Sequence, residues 1–193
     1  MRTALGLLDE SGMDAVSLRG VAGRLGVRLN TVSWHVKTKA RLTELMADAI
    51  IGEISLDDLP AAWMDRVREL LCRYREALLA HRDGGRVVAG TFAAEPATLR
   101  YAERLMASML DGGFDERRAG WTGWTLIYFT LGLVQEEQGS PGPVAEQASI
   151  ALDPATHPAL LRTIPHLADD RFTDRFHYGM TLILAQAASR APA

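Results

Sequence analysis

The chain has 193 residues, a length that suits one compact domain or a small module joined to a larger one. Apolar residues make up 48% and charged residues 23%, which excludes wholesale disorder and collagen-like repeats. Cys72 is the single cysteine, so no intrachain disulfide can form and a reducing compartment is the natural setting. The net charge of −3 hides an asymmetry: Ala15 to Thr43 holds six bases (Arg19, Arg24, Arg28, Lys37, Lys39, Arg41) and no acid, and all 24 acids lie elsewhere. A local polyanion site or a solvated basic face would each give this pattern.

The periodicity is helical almost throughout, and no stretch alternates convincingly with period two. Ala4, Leu7 and Leu8 mark a first helix stopped by Ser11-Gly12. Ser17 can cap a second, with apolar Leu18, Val21, Ala22 and Leu25, ended by Gly26. A short third helix is expected from about Leu29 to Val36. Thr38 can cap a fourth, from Lys39 to about Ile54. The boundary falls at Leu56 to Pro60, dividing residues 1–54 from 55–193. Pro60 fits the first turn of a helix reaching about Ala80. Gly84-Gly85 reads as a break, followed by a short apolar turn from Val87 to Ala89. Further helices are expected over Pro96–Leu110 and Arg117–Gln138. Gly139 to Pro158 holds four prolines and two glycines and reads as a mobile loop. Pro158 can open a short turn to Leu161, and a last helix spans Asp169–Ala188.

The apolar stretch Ala119–Gln135 holds three threonines and three glycines and falls short of the ~20 residues a spanning helix needs. Asp9 and Glu10 interrupt any signal-peptide core. A cytoplasmic protein with no membrane partner is expected.

Leu18 to Val36 carries the function. A helix-turn-helix needs a small residue where its helices cross, a glycine able to take positive φ in the turn, and apolar positions that lock the pair. Ala22, Gly26, and Val21, Leu25, Val27 and Val32 meet those demands in order. The third helix then offers Arg28, Asn30, Thr31, Ser33 and Trp34, mostly residue types that bond base edges or phosphates. An ordinary helical hairpin is the plain alternative.

Thr31-Val32-Ser33-Trp34-His35-Val36-Lys37-Thr38-Lys39, followed by Arg41-Leu42, resembles the recognition helix and following helix of TetR-type transcriptional regulators. Tyr74 to Leu79, Arg82 to Val87, Gly90-Thr91, Gly113-Phe114 and Phe129 to Gly132 resemble segments of the effector body in tetracycline-responsive members of that family. The resemblance implies an all-α homodimer with a DNA-binding head over residues 1–54 and an effector-binding and dimerisation body over 55–193. It implies a ligand-responsive regulator, expected to be a repressor released from a double-stranded operator by a small molecule.

Residue by residue, Asn30, Thr31 and Ser33 are candidates for base edges, with Arg28 at the helix start. Arg19 matches a guanine-contacting position, and a plain phosphate or solvent contact would suit it equally. Ser17, Thr31, His35 and Lys39 resemble phosphate contacts. Trp34 and His35 could instead pack the head beside Val32 and Val36. Leu29, Asn30 and Ser33 replace the glutamine, proline and tyrosine of the tetracycline-responsive members, so a different operator is expected. A basic arm ahead of the first helix is not expected.

For the effector, Tyr74, Val88, Thr91, Arg104, Tyr128 and Glu136 are the candidate lining residues, with core packing the alternative for the uncharged ones. Val88 stands where tetracycline-responsive members place a metal-binding histidine, and Leu70 and Ser55 where they grip the drug. Glu136 matches a glutamate of the metal's outer shell, which alone makes no magnesium site. No tetracycline binding, no metal and no cofactor are expected.

The dimer is expected to form through Trp121, Trp124, Leu126, Phe129 and Leu133 on one helix and Phe176, Met180, Ile183, Leu184 and Ala187 on the other, with Gly132 and Gly179 allowing close approach; the alternatives are that both helices are internal core and that Trp121 and Trp124 line the cavity. The sequence offers no catalytic constellation: the five histidines are scattered, there is no Gly-x-Ser-x-Gly and no phosphate loop, and Cys72 reads as inert core. An enzyme is therefore not expected. A helical interaction protein with a degenerate head that no longer binds DNA is the alternative.

Overall fold

The computed structural model describes residues 1–91, 94–140, 152–167 and 171–188. Its order is α1 (Arg2–Ser11), a 3₁₀ turn (Met13–Ala15), α2 (Leu18–Leu25), α3 (Leu29–His35), α4 (Lys39–Gly52), α5 (Trp63–Leu79), α6 (Gly84–Val88), α7 (Pro96–Asp111), α8 (Glu116–Gly139), α9 (Pro158–Leu167) and α10 (Phe172–Ala188). The fold is all-α. No helix among the described residues is long and apolar enough to cross a membrane.

Local signals set the first helix boundaries. Gly12 ends α1. The Gly20 N–H donates to Ser17 Oγ at 3.0 Å, and the Arg41 N–H to Thr38 Oγ1 at 3.0 Å, each satisfying a first-turn donor. Gly26 closes α2 in the left-handed region at φ 66°, where an L side chain would be strained. Ala22, Val21, Val32 and Val36 are buried between the helices. Leu25 and Val27, expected to lock the pair, are exposed instead. The tight turn carries both past the crossing point, so they miss the small core.

Three boundaries differ from the sequence reading. Pro60 stands outside α5, which starts at Trp63. Gly84 and Gly85 open a helix rather than break one. A Cβ on Gly84 would lie 2.1 Å from the Leu78 carbonyl oxygen, so the glycine is required by a close approach. α9 runs to Leu167 with Pro165 inside it, beyond the single turn expected. The proline-rich loop expected from Gly139 to Pro158 lies mostly outside the described residues.

α4 packs on α5, α6 and α7, while α5, α7 and α8 pack on one another and α10 lies along α8. Val67, Leu70, Leu71, Leu78, Leu105, Met109, Leu126, Phe176, Met180 and Leu184 form the body's interior. Arg75 on α5 is buried there and pairs with Glu137 on α8 at 2.6 Å.

The expected dimer surface needs correcting on this basis. Leu126, Phe176, Met180 and Leu184 are interior to the subunit, and Phe129, Leu133 and Ile183 pack against its core. Gly179 accommodates the Phe129 ring, which a Cβ there would meet at 2.3 Å, so its close approach is within one chain. Gly132 lines the cavity described below. The side chain of Ala187 lies outside the described ones. The apolar side chains left in solvent on these helices are Trp121, Trp124 and Tyr128 on α8 and Tyr178 and Leu182 on α10.

Candidate functional site

The head presents one basic surface. Arg19, Arg28, Asn30, Thr31, Trp34, His35 and Lys39 are exposed, Ser33 is half-buried, and Ser17 is engaged by its own cap. Trp34 is 82% exposed, so it does not pack the head. His35 is exposed as well. A large aromatic left in water beside basic side chains is placed to meet a partner, not a core.

Two of the six bases are already engaged. The Arg24 guanidinium holds both oxygens of Glu10 on α1. Arg41 pairs with Glu44 at 3.0 Å and with Glu95. Among the described residues, Arg19, Arg28, Lys37 and Lys39 have no ion pair, and they carry the surface's net positive charge.

A second site lies in the body. An apolar cavity of about 300 Å³ is walled by α4 (Ala47, Ile51), α5 (Tyr74), α6 and the turn after it (Val88 to Thr91), α7 (Thr98, Tyr101, Ala102, Leu105, Met106) and α8 (Trp124, Ile127, Tyr128, Leu131, Gly132, Gln135). Of the expected lining residues, Tyr74, Val88, Thr91 and Tyr128 are brought together here. Arg104 and Glu136 are exposed and do not line it. On α8 the inward carboxylate is that of the neighbour, Glu137, which is held by Arg75. Leu70 is core, and Ser55 is exposed at the chain segment after α4.

Sequence reasoning missed α4's share of the wall and most of α8's. Trp124, Ile127, Tyr128, Leu131 and Gln135 step by three and four, so the helical phase of Tyr128 was the available signal. Trp124, assigned above to dimer packing, lines the cavity and stacks on Tyr128 at 5.7 Å. On the opposite chain segments, Tyr74 stacks on Tyr101 at 5.1 Å, and the Tyr101 hydroxyl donates to the Leu70 carbonyl at 3.0 Å.

Head and body meet through a polar junction. Arg86 on α6 pairs with Asp14 at 2.8 Å, and Asp83 accepts the Met13 N–H at 2.7 Å. His81 has Nδ1 3.1 Å from Asp9 on α1 and Nε2 3.1 Å from Glu53 at the end of α4. Short α6 therefore touches the cavity through Val88 and the head through Arg86.

A helix-turn-helix with a basic, solvent-facing second helix, joined by one helix to a body that holds a partly open apolar cavity, defines a ligand-responsive DNA-binding transcriptional regulator. Residues 57–187 match the family described as tetracyclin repressor-like, C-terminal domain. The chain belongs to the tetracycline repressor-like family. It is 32% identical over 190 residues to the tetracycline repressor protein class C of Escherichia coli, covering 95% of this chain and 86% of that one. A possible TetR family transcriptional regulator from Streptomyces coelicolor A3(2) superposes with a TM-score of 0.84 at 33% identity, over 97% and 96% of the two chains. The Streptomyces coelicolor protein ActR, in complex with actinorhodin, superposes with a TM-score of 0.88 at 27% identity, over 100% and 96%.

The tetracycline-responsive branch implies a magnesium-chelated ligand. The residues here do not fit one: no described side chain lining the cavity is an imidazole or a carboxylate, and the hard cation would find only neutral oxygens.

Proposed function

We propose that the chain is a homodimeric repressor whose residues 1–54 grip a double-stranded operator and whose residues 55–193 bind a small molecule that releases it. The observation that carries this reading is the double duty of α4. Ala47 and Ile51 wall the cavity, while Lys39 opens the same helix beside α3. An occupant that favours one α4 position over another shifts the spacing of two heads, which must sit about 34–36 Å apart to enter successive major grooves.

Within the head, Asn30, Thr31 and Ser33 read bases, with Arg28 and Arg19 beside them. Ser17, His35 and Lys39 hold phosphates, and Trp34 lies against the duplex. In the body Tyr74, Val88, Thr91 and Tyr128 contact the effector. Trp121 on α8, with Tyr178 and Leu182 on α10, supplies the self-complementary face that closes the dimer. Operator DNA is in the cytoplasm, so the protein belongs there. Its relatives are regulators, and we assign it no catalytic role.

Selection of bound DNA from a random duplex pool tests the reading. A two-half-site sequence with half-sites about 10 base pairs apart is expected. Recovery of no preferred sequence, with affinity indifferent to salt, would leave the helical interaction protein as the better description.

A further inference from the structure

The cavity's chemistry narrows its ligand. Among the described residues, its lining holds no Lys, Arg, His, Asp, Glu or Cys, and its ionisable groups are three tyrosines. Burial pushes the Tyr74 phenol well above its ordinary value, so it stays neutral and keeps its proton. A charged ligand group would lose its hydration against this wall and gain no opposite charge.

The polar groups that remain are mostly engaged. The Thr91 hydroxyl donates to the Val88 carbonyl at 2.7 Å, and the Thr98 hydroxyl to Asp48 at 2.9 Å. Tyr101 donates to Leu70. The Tyr128 hydroxyl has no partner among the described residues but is exposed to solvent, so Tyr74 is the buried exception. It is 3% exposed, yet its hydroxyl has no hydrogen-bond partner among the described residues and is not sealed away from open space. A buried donor left unmet is costly unless something that enters the cavity meets it.

Resting on the regulatory reading above, we infer that the effector is an uncharged, metal-free, flat aromatic molecule that presents one hydrogen-bond acceptor to the Tyr74 hydroxyl. Flatness follows from the two stacked pairs, Tyr74 with Tyr101 and Trp124 with Tyr128, which offer aromatic faces from α5, α7 and α8. Size follows from the volume, which lies at the small end of the range for ligand pockets and suits two or three fused rings.

Three probes and one variant decide the matter, with binding read by tryptophan quenching and by the thermal midpoint. Xanthone is neutral, tricyclic and carries a ring carbonyl; xanthene lacks that carbonyl; xanthone-2-carboxylate adds a negative charge. Xanthone is expected to bind, with xanthene about tenfold weaker and the carboxylate weaker still. Tyr74→Phe should bring xanthone down to the level of xanthene and leave xanthene unchanged. Failure of xanthone to bind, equal binding of the carboxylate, or an unchanged xanthone affinity in a folded Tyr74→Phe would each overturn the inference. Tetracycline with magnesium serves as the chelate control, and tight binding there would overturn it too. Duplex binding by the unliganded protein separates the two levels. If the duplex is held and only a charged compound releases it, the ligand class is wrong and the regulator stands. If no duplex is held, the regulatory reading itself fails.

Discussion

Thr98 places both its backbone N–H and its hydroxyl on one oxygen of Asp48, at 2.8 and 2.9 Å. Thr98 sits in the first turn of α7, where helical N–H groups lack partners, and the capping residue Glu95 makes no side-chain bond there. Asp48 belongs to α4. One helix therefore caps another at the cavity wall, since Thr98 also lines it.

Asp48→Ala should cost about 1–2 kcal/mol of stability, as loss of a cap does, and lower the melting temperature by roughly 2–8 °C in a chain of this size. It should also weaken ligand-driven release more than ligand binding, because the joint between α7 and α4 is gone. Paired denaturant melts and operator-release titrations check both effects. A melt superimposable on wild type would show that the cap carries no weight.

The basic surface makes a prediction about salt. Binding to duplex should weaken linearly in a log–log plot, by about 0.9 per phosphate neutralised. Lys39→Ala should reduce that slope by about one unit per subunit and weaken all sequences alike. Arg24→Ala should leave the slope nearly unchanged, because its guanidinium is engaged by Glu10. Equal slopes for Lys39→Ala and wild type would remove Lys39 from the interface.

Leu182 and Leu184 separate assembly from folding. Leu182 is 53% exposed on α10, and Leu184 is fully buried within the subunit. Leu182→Glu is expected to give a folded monomer that no longer holds a two-half-site operator. Leu184→Glu should bury an unpaired charge, cost several kcal/mol and destabilise the subunit itself. Sedimentation with circular dichroism distinguishes them. A dimeric Leu182→Glu would place the self-association face elsewhere.

Acid should loosen the junction between head and body. The hydrogen bond from Arg86 across the junction holds the Asp14 carboxyl below its ordinary value, and within the head the hydrogen bond from Arg24 does the same for Glu10. A depressed folded value means that the unfolded chain binds more protons there. The stability linked to each group is therefore present above the ordinary carboxylate range and lost as pH falls through the lowered value. Both groups are exposed, so salt should blunt the effect. The stability difference between wild type and Asp14→Asn should shrink as pH drops from about 5 to 3. A difference that stays constant over that interval would rule out the pair as its source.

Much of this molecule is legible in its sequence. Ser17, Thr38, Gly12 and Gly26 announce helix ends by chemistry that acts over three or four residues, and each does so in the structure. Gly84 misled because its role is set by the Leu78 carbonyl, a contact that local pattern does not encode. Arg24 looked available because its partner, Glu10, lies on another helix. The faces of α8 and α10 were visible as periodicity, yet periodicity does not say whether an apolar face meets its own subunit, a ligand or a second copy. That is why periodicity places Leu184 outward and leaves Trp124 open between dimer face and cavity, where the structure puts Leu184 in the core and Trp124 in the cavity wall. Four of the six effector residues came together, while Arg104 and Glu136 did not.

The His81 contact with Glu53 marks one end of α4, and a tilt of the helix about that end would have unequal arms. With Glu53 as fulcrum, Ala47 stands ~9 Å along the axis and Lys39 ~21 Å, at 1.5 Å per residue. A rigid tilt that moves the wall at Ala47 by ~1 Å then carries Lys39 by ~2.3 Å, since displacement grows in proportion to arm length. In a symmetric pair the two tips move together, and the gap between them can change by twice that amount. A cavity that yields only slightly would thus be geared to a larger displacement at Lys39, the residue proposed above to hold a phosphate.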